Sequence, residues 1–528
     1  MDVKMRSGPA GESSSCVDVG DVVLLVVSDP RALGMLPELA AELRLLIVVT
    51  GEAAELADPG LPRGHLTALR GHIGKFVARL ALRFGERELD VAQVVLAAAT
   101  RPQTLLRTGV HWLRTDEAGA PADLLLDLAS RSGTFERAHA VLYDEALCVG
   151  GEREQEACGR CLPACPYGAI ARGLPDRTRM QLDHLACEGC GACAAVCPTS
   201  ALALIEPGLG EFLAAAQRQL AASGAPAPWI LLHCGEEGRR FIEQSGDLGG
   251  EVLALPCLRA VSDAAILGAF ALGAAGLALV GCESCKHGER AVLLETLERN
   301  RLILSALGLD SGGGDSASPL RLFPVTEGRE AAVRAELAEF AAGLAPSPIP
   351  TPSEPFEELH ANEVVAWALY LLESRLVSAA STVLLPPGSP YARAEVDQGA
   401  CTVCGSCATV CAPKAFQYAQ TLDQVLLEFR PRSCVACGLC EAICPEGAIR
   451  LNHELLLGDE ARRHATVARD EWASCTICGA PVFSAKALAA IEHRLGDAPA
   501  PAGLPTASMS DWLRTCHPCR ANAMRRGP

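Results

Sequence analysis

The chain is short of positive charge: 46 Lys and Arg stand against 63 Asp and Glu, a formal net charge of −17. Nucleic-acid binding draws on clustered cations that displace counterions, so this balance argues against that class. The opening segment, MDVKMRSGPAGESSSC, has no apolar stretch, and no secretory leader is expected in it. Also missing are H-E-x-x-H, G-x-S-x-G, the Walker A loop and the C-x3-C-x2-C radical motif. SDPRALG follows the first strand-like run where a dinucleotide site would need G-x-G-x-x-G. Gly71-His72-Ile73-Gly74-Lys75 lacks both the phosphate-loop spacing and a hydroxyl residue after the lysine. None of the 12 histidines falls into a nucleophile–base arrangement, and His65, His184 and His453 read as surface or packed residues. The motifs of a hydrolase, a zinc protease and a nucleotide-dependent enzyme are thus absent.

What is present is cysteine, 25 of them in 528 residues, mostly in C-x-x-C runs. Secreted disulfide scaffolds are usually short and carry an even number, so reduced thiols in a cytoplasmic, metal-rich protein are expected. A hydrophobic fraction of 49% with 21% charged residues is globular, and the length suggests three or four domains. Ala264 to Gly281 carries no charge over 18 residues, the lower edge of a membrane-spanning length. Gly273 and Gly276 interrupt it, so a buried helix followed by a buried strand is expected, and no membrane span.

The expected fold class is multidomain α/β and α+β. Residues 1–19 read as a disordered tail, with Cys16 unassigned. Residues 20–145 read as an α/β domain of unknown role, its Val-rich runs Asp21–Val27, Leu43–Thr50 and Asp90–Ala99 forming a mostly parallel sheet with helical candidates between them. A first cysteine module spans 146–206, and a middle α/β domain spans 225–343, with a flexible loop at Ser311–Pro319. Residues 344–398 form a Pro-rich linker (Ala345–Pro355) and a helix over Phe356–Val377, striped by Val364, Trp367, Ala368, Leu371 and Leu372. A second cysteine module occupies 399–453, and a small four-cysteine region occupies 465–528.

Each module holds two copies of one pattern. Cys187-x2-Cys190-Gly-x-Cys193-x3-Cys197-Pro and Cys434-x2-Cys437-Gly-x-Cys440-x3-Cys444-Pro are complete. Cys401, Cys404, Cys407 and Cys411 repeat the spacing, but Ala412 precedes the proline. The first copy is degenerate, with Gln155 in the leading position before Cys158, Cys161 and Cys165-Pro166. Soft thiolates in C-x2-C-x2-C suit an iron–sulfur cubane, while zinc does not demand this run. These segments resemble bacterial two-cluster ferredoxins, in which the fourth cysteine of a run serves the neighbouring cluster. The resemblance implies one 4Fe–4S cluster on Cys401, Cys404, Cys407 and Cys444, and another on Cys411, Cys434, Cys437 and Cys440. It implies a third on Cys165, Cys187, Cys190 and Cys193. The fourth would use Cys158, Cys161 and Cys197 with Cys148 as the missing ligand, or remain a three-iron or labile cluster.

In the middle domain, Cys234, Cys257 and the pair Cys282 and Cys285 follow apolar, strand-like runs, so four thiols can converge at one sheet edge. With Arg259 and His287-Gly288, this part resembles the delta subunit of methyl-viologen-reducing hydrogenase. The resemblance implies a 2Fe–2S centre passing electrons between a hydrogenase or formate dehydrogenase and a redox partner. Zinc on the same thiols is the alternative. Cys475, Cys478, Cys516 and Cys519 form two knuckles suited to zinc or a further iron–sulfur cluster, with His517 a neighbour. The expected function is therefore a non-catalytic relay of single electrons through four 4Fe–4S clusters and one 2Fe–2S centre. The alternatives are a subunit of a heterodisulfide-reductase-like enzyme complex and a maturation factor for redox enzymes.

Overall fold

The computed structural model describes residues 14–526 apart from 101–105, 118, 153–154, 174–179, 311–317, 355, 358, 378–379 and 496–507. Positions 1–13 of the expected tail and 311–317 of the expected flexible loop lie outside the described residues.

The Val-rich runs near the start become strands because they are apolar on both faces. Arg44–Val49, Val22–Val27, Gln93–Ala98 and Val110–Arg114 lie side by side in that order, all parallel. Leu24, Val26, Val94 and Leu96 enter one apolar core, while Val23, Leu25, Val27, Val95 and Ala97 enter another on the opposite face.

Two expectations for this region are corrected. The stretch read as helical between the second and third strands is largely an antiparallel meander of Gly64–His72, Lys75–Leu82 and Gly85–Val91. It covers one sheet face through Phe76, Ala78 and Leu80. Ser14–Val19, assigned to the disordered tail, is a strand paired antiparallel with Gly133–Ala138. Its polar composition hides an alternation: Val17 and Val19 are buried while Cys16 and Asp18 face outward.

The middle domain repeats the strand order of the first. Glu251–Leu255, Trp229–Cys234, Gly276–Cys282 and Leu320–Val325 form a second four-stranded parallel sheet. The uncharged segment splits into a helix, Asp263–Ala271, and the strand Gly276–Cys282. Ser262 caps the helix by accepting the Ala265 amide, and every helical residue is buried. Among the described residues, no helix is long and apolar enough to cross a membrane. The linker helix, Ala361–Arg375, joins the same core through Val364, Ala368 and Leu372.

Both cysteine modules are tied at their ends. Val141–Tyr143 pairs with Leu202–Leu204 in the first, and Arg393–Val396 pairs with Ile449–Asn452 in the second. The C-terminal region is continuous with the second module. Its strands Ala465–Ser474 and Pro481–Ser484 extend the hairpin of Phe416–Gln420 and Gln424–Phe429 into a four-stranded antiparallel sheet.

Candidate metal centres

The cysteine repeats share a backbone conformation as well as a spacing. Three residues after the fourth cysteine the chain turns left-handed in every copy, at Gly168, Ser200, Lys414 and Gly447. The displaced proline after Cys411 therefore leaves the turn intact. In the three complete copies the residue before the second cysteine and the glycine after it also have positive φ: Gly189 and Gly191, Val403 and Gly405, Ala436 and Gly438. These turns aim amides at sulfur. Ala169, Leu202, Phe416 and Ala448 donate to the Sγ of Cys165, Cys197, Cys411 and Cys444 at 3.3–3.4 Å. Val403 and Ala436 donate to Cys401 and Cys434, each at 3.4 Å.

Cys401, Cys404, Cys407 and Cys444 line one hollow, and Cys411, Cys434, Cys437 and Cys440 line the next. Burial and the neighbouring Cys404, Cys401 and Cys444 push the Cys407 thiol up to about 12. In the first module, burial raises the Cys193 thiol well above its ordinary range, with Cys187, Cys190 and Cys165 adding to it. Cys161 is pushed to about 12 by burial, then by Cys158, Cys197 and Cys148. Cys148 follows the short turn Glu145–Leu147 and packs in that group. Four such thiols ionise together only beside strong positive charge, which the irons of a cluster supply. Converging thiols with amides aimed at sulfur fit an iron–sulfur cluster.

The middle site forms at the C-terminal edge of its sheet, as parallel strands ending side by side require. Cys234 and Cys282 close their strands with sulfurs 3.6 Å apart, while Cys257 and Cys285 lie 3.7 Å apart. Amides of Gly238 and His287 point at Cys234 and Cys285. The hydrogen bond with Cys257 is the foremost cause that lifts the Cys285 thiol to about 11. Arg259 is buried and clasps this site to the first module, donating to the carbonyls of Ala164, His287 and Glu289. His287 meets the Tyr167 hydroxyl at 2.6 Å.

At the C-terminus all four sulfurs of Cys475, Cys478, Cys516 and Cys519 lie within 4.8 Å of one another. A single tetrahedral metal with bonds of about 2.3 Å would set its sulfurs about 3.8 Å apart. The Cys516 amide bonds to Cys475 at 3.3 Å and is the main cause that lowers that thiol to about 6. His517 begins the final helix and is not in this group.

The sets are also joined to one another. Cys257 and Cys285 pack with Cys190 across Ala164 and Ala192. Cys161 and Cys193 share a core within the first module, and Cys407 and Cys440 share one within the second. Between the modules the Cys158 amide donates to the Cys437 carbonyl at 2.9 Å. Arg160 spans the same junction, donating to the carbonyls of Gly388, Ser389, Val435 and Ala436 at 3.0–3.1 Å, with Cys158 Sγ at 3.6 Å. Nothing in the sequence marked this arginine, because its carbonyl partners lie more than 200 positions away.

Comparison with known families agrees with these modules. A family model described as a 4Fe-4S dicluster domain matches residues 130–201, and one described as a 4Fe-4S binding domain matches residues 427–450. The first match takes in every cysteine from Cys148 to Cys197, and the second runs from before Cys434 to beyond Cys444. Comparison with curated proteins returns no match. The chain carries two 4Fe–4S ferredoxin-type domains within a mixed α/β multidomain fold.

Proposed function

We propose that this protein relays single electrons along five thiol sets held in one line. The order runs from Cys234, Cys257, Cys282 and Cys285 to Cys165, Cys187, Cys190 and Cys193. It continues through Cys148, Cys158, Cys161 and Cys197 to Cys411, Cys434, Cys437 and Cys440, ending at Cys401, Cys404, Cys407 and Cys444. The observation that supports this reading most is the Cys158–Cys437 backbone bond, which joins the two cysteine modules directly. Four 4Fe–4S clusters and one 2Fe–2S centre, when bound, supply one-electron redox chemistry. The protein's part is to exclude water, direct amides at sulfur and fix the spacing. The middle sulfurs meet in two pairs, at 3.6 and 3.7 Å, and among the described residues only the C-terminal four gather into one group within 4.8 Å, which supports 2Fe–2S over zinc in the middle domain. The tighter C-terminal group suits a single zinc.

Its resemblance to the hydrogenase delta subunit suggests a formate dehydrogenase or hydrogenase at one end and a second redox protein at the other. Cys404, exposed at the last set, supports an exit there. Described cysteines that are all free support a reducing, cytoplasmic setting.

Metal and sulfide analysis after anaerobic purification tests the proposal, together with EPR of the reduced protein. The expected content is about 18 irons and about one zinc per chain. About 16 irons with two zincs would make the middle domain a zinc module. Far less iron, lost on dilution, would overturn the relay in favour of a maturation factor.

A further inference from the structure

A cavity of about 340 Å³ lies where the two dicluster modules, the middle domain and the linker helix meet. The hollows at the second module's two thiol sets and at the middle set are each about 20 Å³, so this space is not a cluster seat. Its walls are mostly apolar, among them Val196, Ala264, Val292 and Val365. Cys197 and Cys434 line it from two different thiol sets.

Three arginines border the space, and they differ in what they have left to give. Arg160 is spent on four carbonyls. Arg299 makes a paired contact with Asp263 at 2.8–3.1 Å, and the Tyr391 hydroxyl donates to the same carboxylate. Arg432 uses only Nη2, which donates to Glu373 at 2.6 Å and to the Leu456 carbonyl at 3.1 Å. Its side chain is 6% exposed, and its Nε and Nη1 are buried without a partner among the described residues. An unpaired buried donor costs about 1–3 kcal/mol, and more when charged. Held beside an apolar cavity, these two N–H groups are donors awaiting an acceptor from outside.

We propose that the cavity binds a small quinone-type ring, its carbonyl oxygen taken by Arg432 and its ring by the apolar walls. The volume is near the lower end of ligand sites, which suits one or two rings and not a dinucleotide. Contact with two thiol sets favours a ligand that accepts electrons, and this part rests on the relay reading above. The step balances as quinone plus two electrons and two protons giving the hydroquinone. The electrons come singly from reduced iron–sulfur clusters at the sets of Cys197 and Cys434, and the protons from water at the mouth, where Glu295 is exposed.

Menadione, a two-ring quinone, is the probe. Equilibrium dialysis against the oxidised holo-protein is expected to show one saturable site per chain. Val365→Trp fills the space and should abolish that site. Arg432→Lys keeps a cation for Glu373 but lacks the forked donors, and should weaken binding about tenfold. Both variants should retain wild-type iron content and EPR spectra. In stopped flow, oxidation of the reduced wild type should saturate with menadione, while Val365→Trp stays linear. No saturable binding in a fully iron-loaded chain, or binding unmoved by both substitutions, overturns the site and leaves the relay standing. Binding by a chain with little iron would sink the relay and keep the site.

Discussion

Asp29 follows the strand Val22–Val27 and accepts from the Arg31 amide and guanidinium at 2.8–3.2 Å and from the Thr115 hydroxyl at 2.5 Å. The Arg31 side chain, then Thr115, holds this carboxyl well below the usual range. A depressed folded pKa means stability that is complete above the unfolded value of about 3.9 and is lost as pH falls below it. Asp29→Asn should therefore melt lower than the wild type at pH 7, with the gap shrinking by about pH 2.5. Melting curves of both proteins at the two pH values check this; a gap independent of pH would refute it. At this scale the iron–sulfur character was legible, because repeated C-x2-C-x2-C-x3-C runs suit 4Fe–4S binding, which the family models match. Cys148 stood out only by nearness to a run missing its first cysteine, and it packs beside Cys161. Arg160 and Arg432 were not legible, since their roles exist only once distant segments dock.

Among the elements, the short helix Ala192–Ala195 shows how closely the first module and the middle domain fit. Gly191, its N-cap, has φ near +74°, and a Cβ there would sit 2.6 Å from the Ala260 Cβ and 2.8 Å from Leu204 Cδ1. Gly191→Ala should cost about 2–5 kcal/mol, combining left-handed strain with overpacking at the domain junction. A lowered Tm of the holo-protein would show it; an unchanged Tm would mean the two domains yield easily. The parallel strands were readable because apolar runs buried on both faces leave little else to be. The meander was not, because Leu66, Leu69, Leu80 and Leu89 sit among helix-favouring Ala, Arg and Glu, and only cross-strand pairing decides for strand. The Ser14–Val19 strand was missed for a like reason, its partner lying at Gly133–Ala138.

For the molecule as a whole, two four-stranded parallel sheets of identical strand order each precede a 4Fe–4S ferredoxin-type domain. Of these two sheets, only the second carries thiols at its C-terminal edge, Cys234 and Cys282. The two modules meet through Arg160, whose charge lies beside Cys158 and between the carbonyls of Val435 and Ala436. Arg160→Met should leave iron content near the wild-type value. Removing a cation near two sets should lower their potentials by tens of millivolts and weaken the magnetic interaction between the modules. Redox-poised EPR would detect both changes, and unaltered potentials would show that the arginine serves docking alone.

The strand pairs that tie each module's ends bear on how the protein is made. Cys197 comes five residues before the closing strand that begins at Leu202, and Cys444 five before the one that begins at Ile449. As the chain leaves the ribosome, the last thiol of each module and its clasp therefore emerge almost together. Until then each loop is an open purse, with one of its two proposed thiol sets complete and the other lacking its last cysteine. Once the clasp pairs, the same backbone bonds that shape the module also shut it.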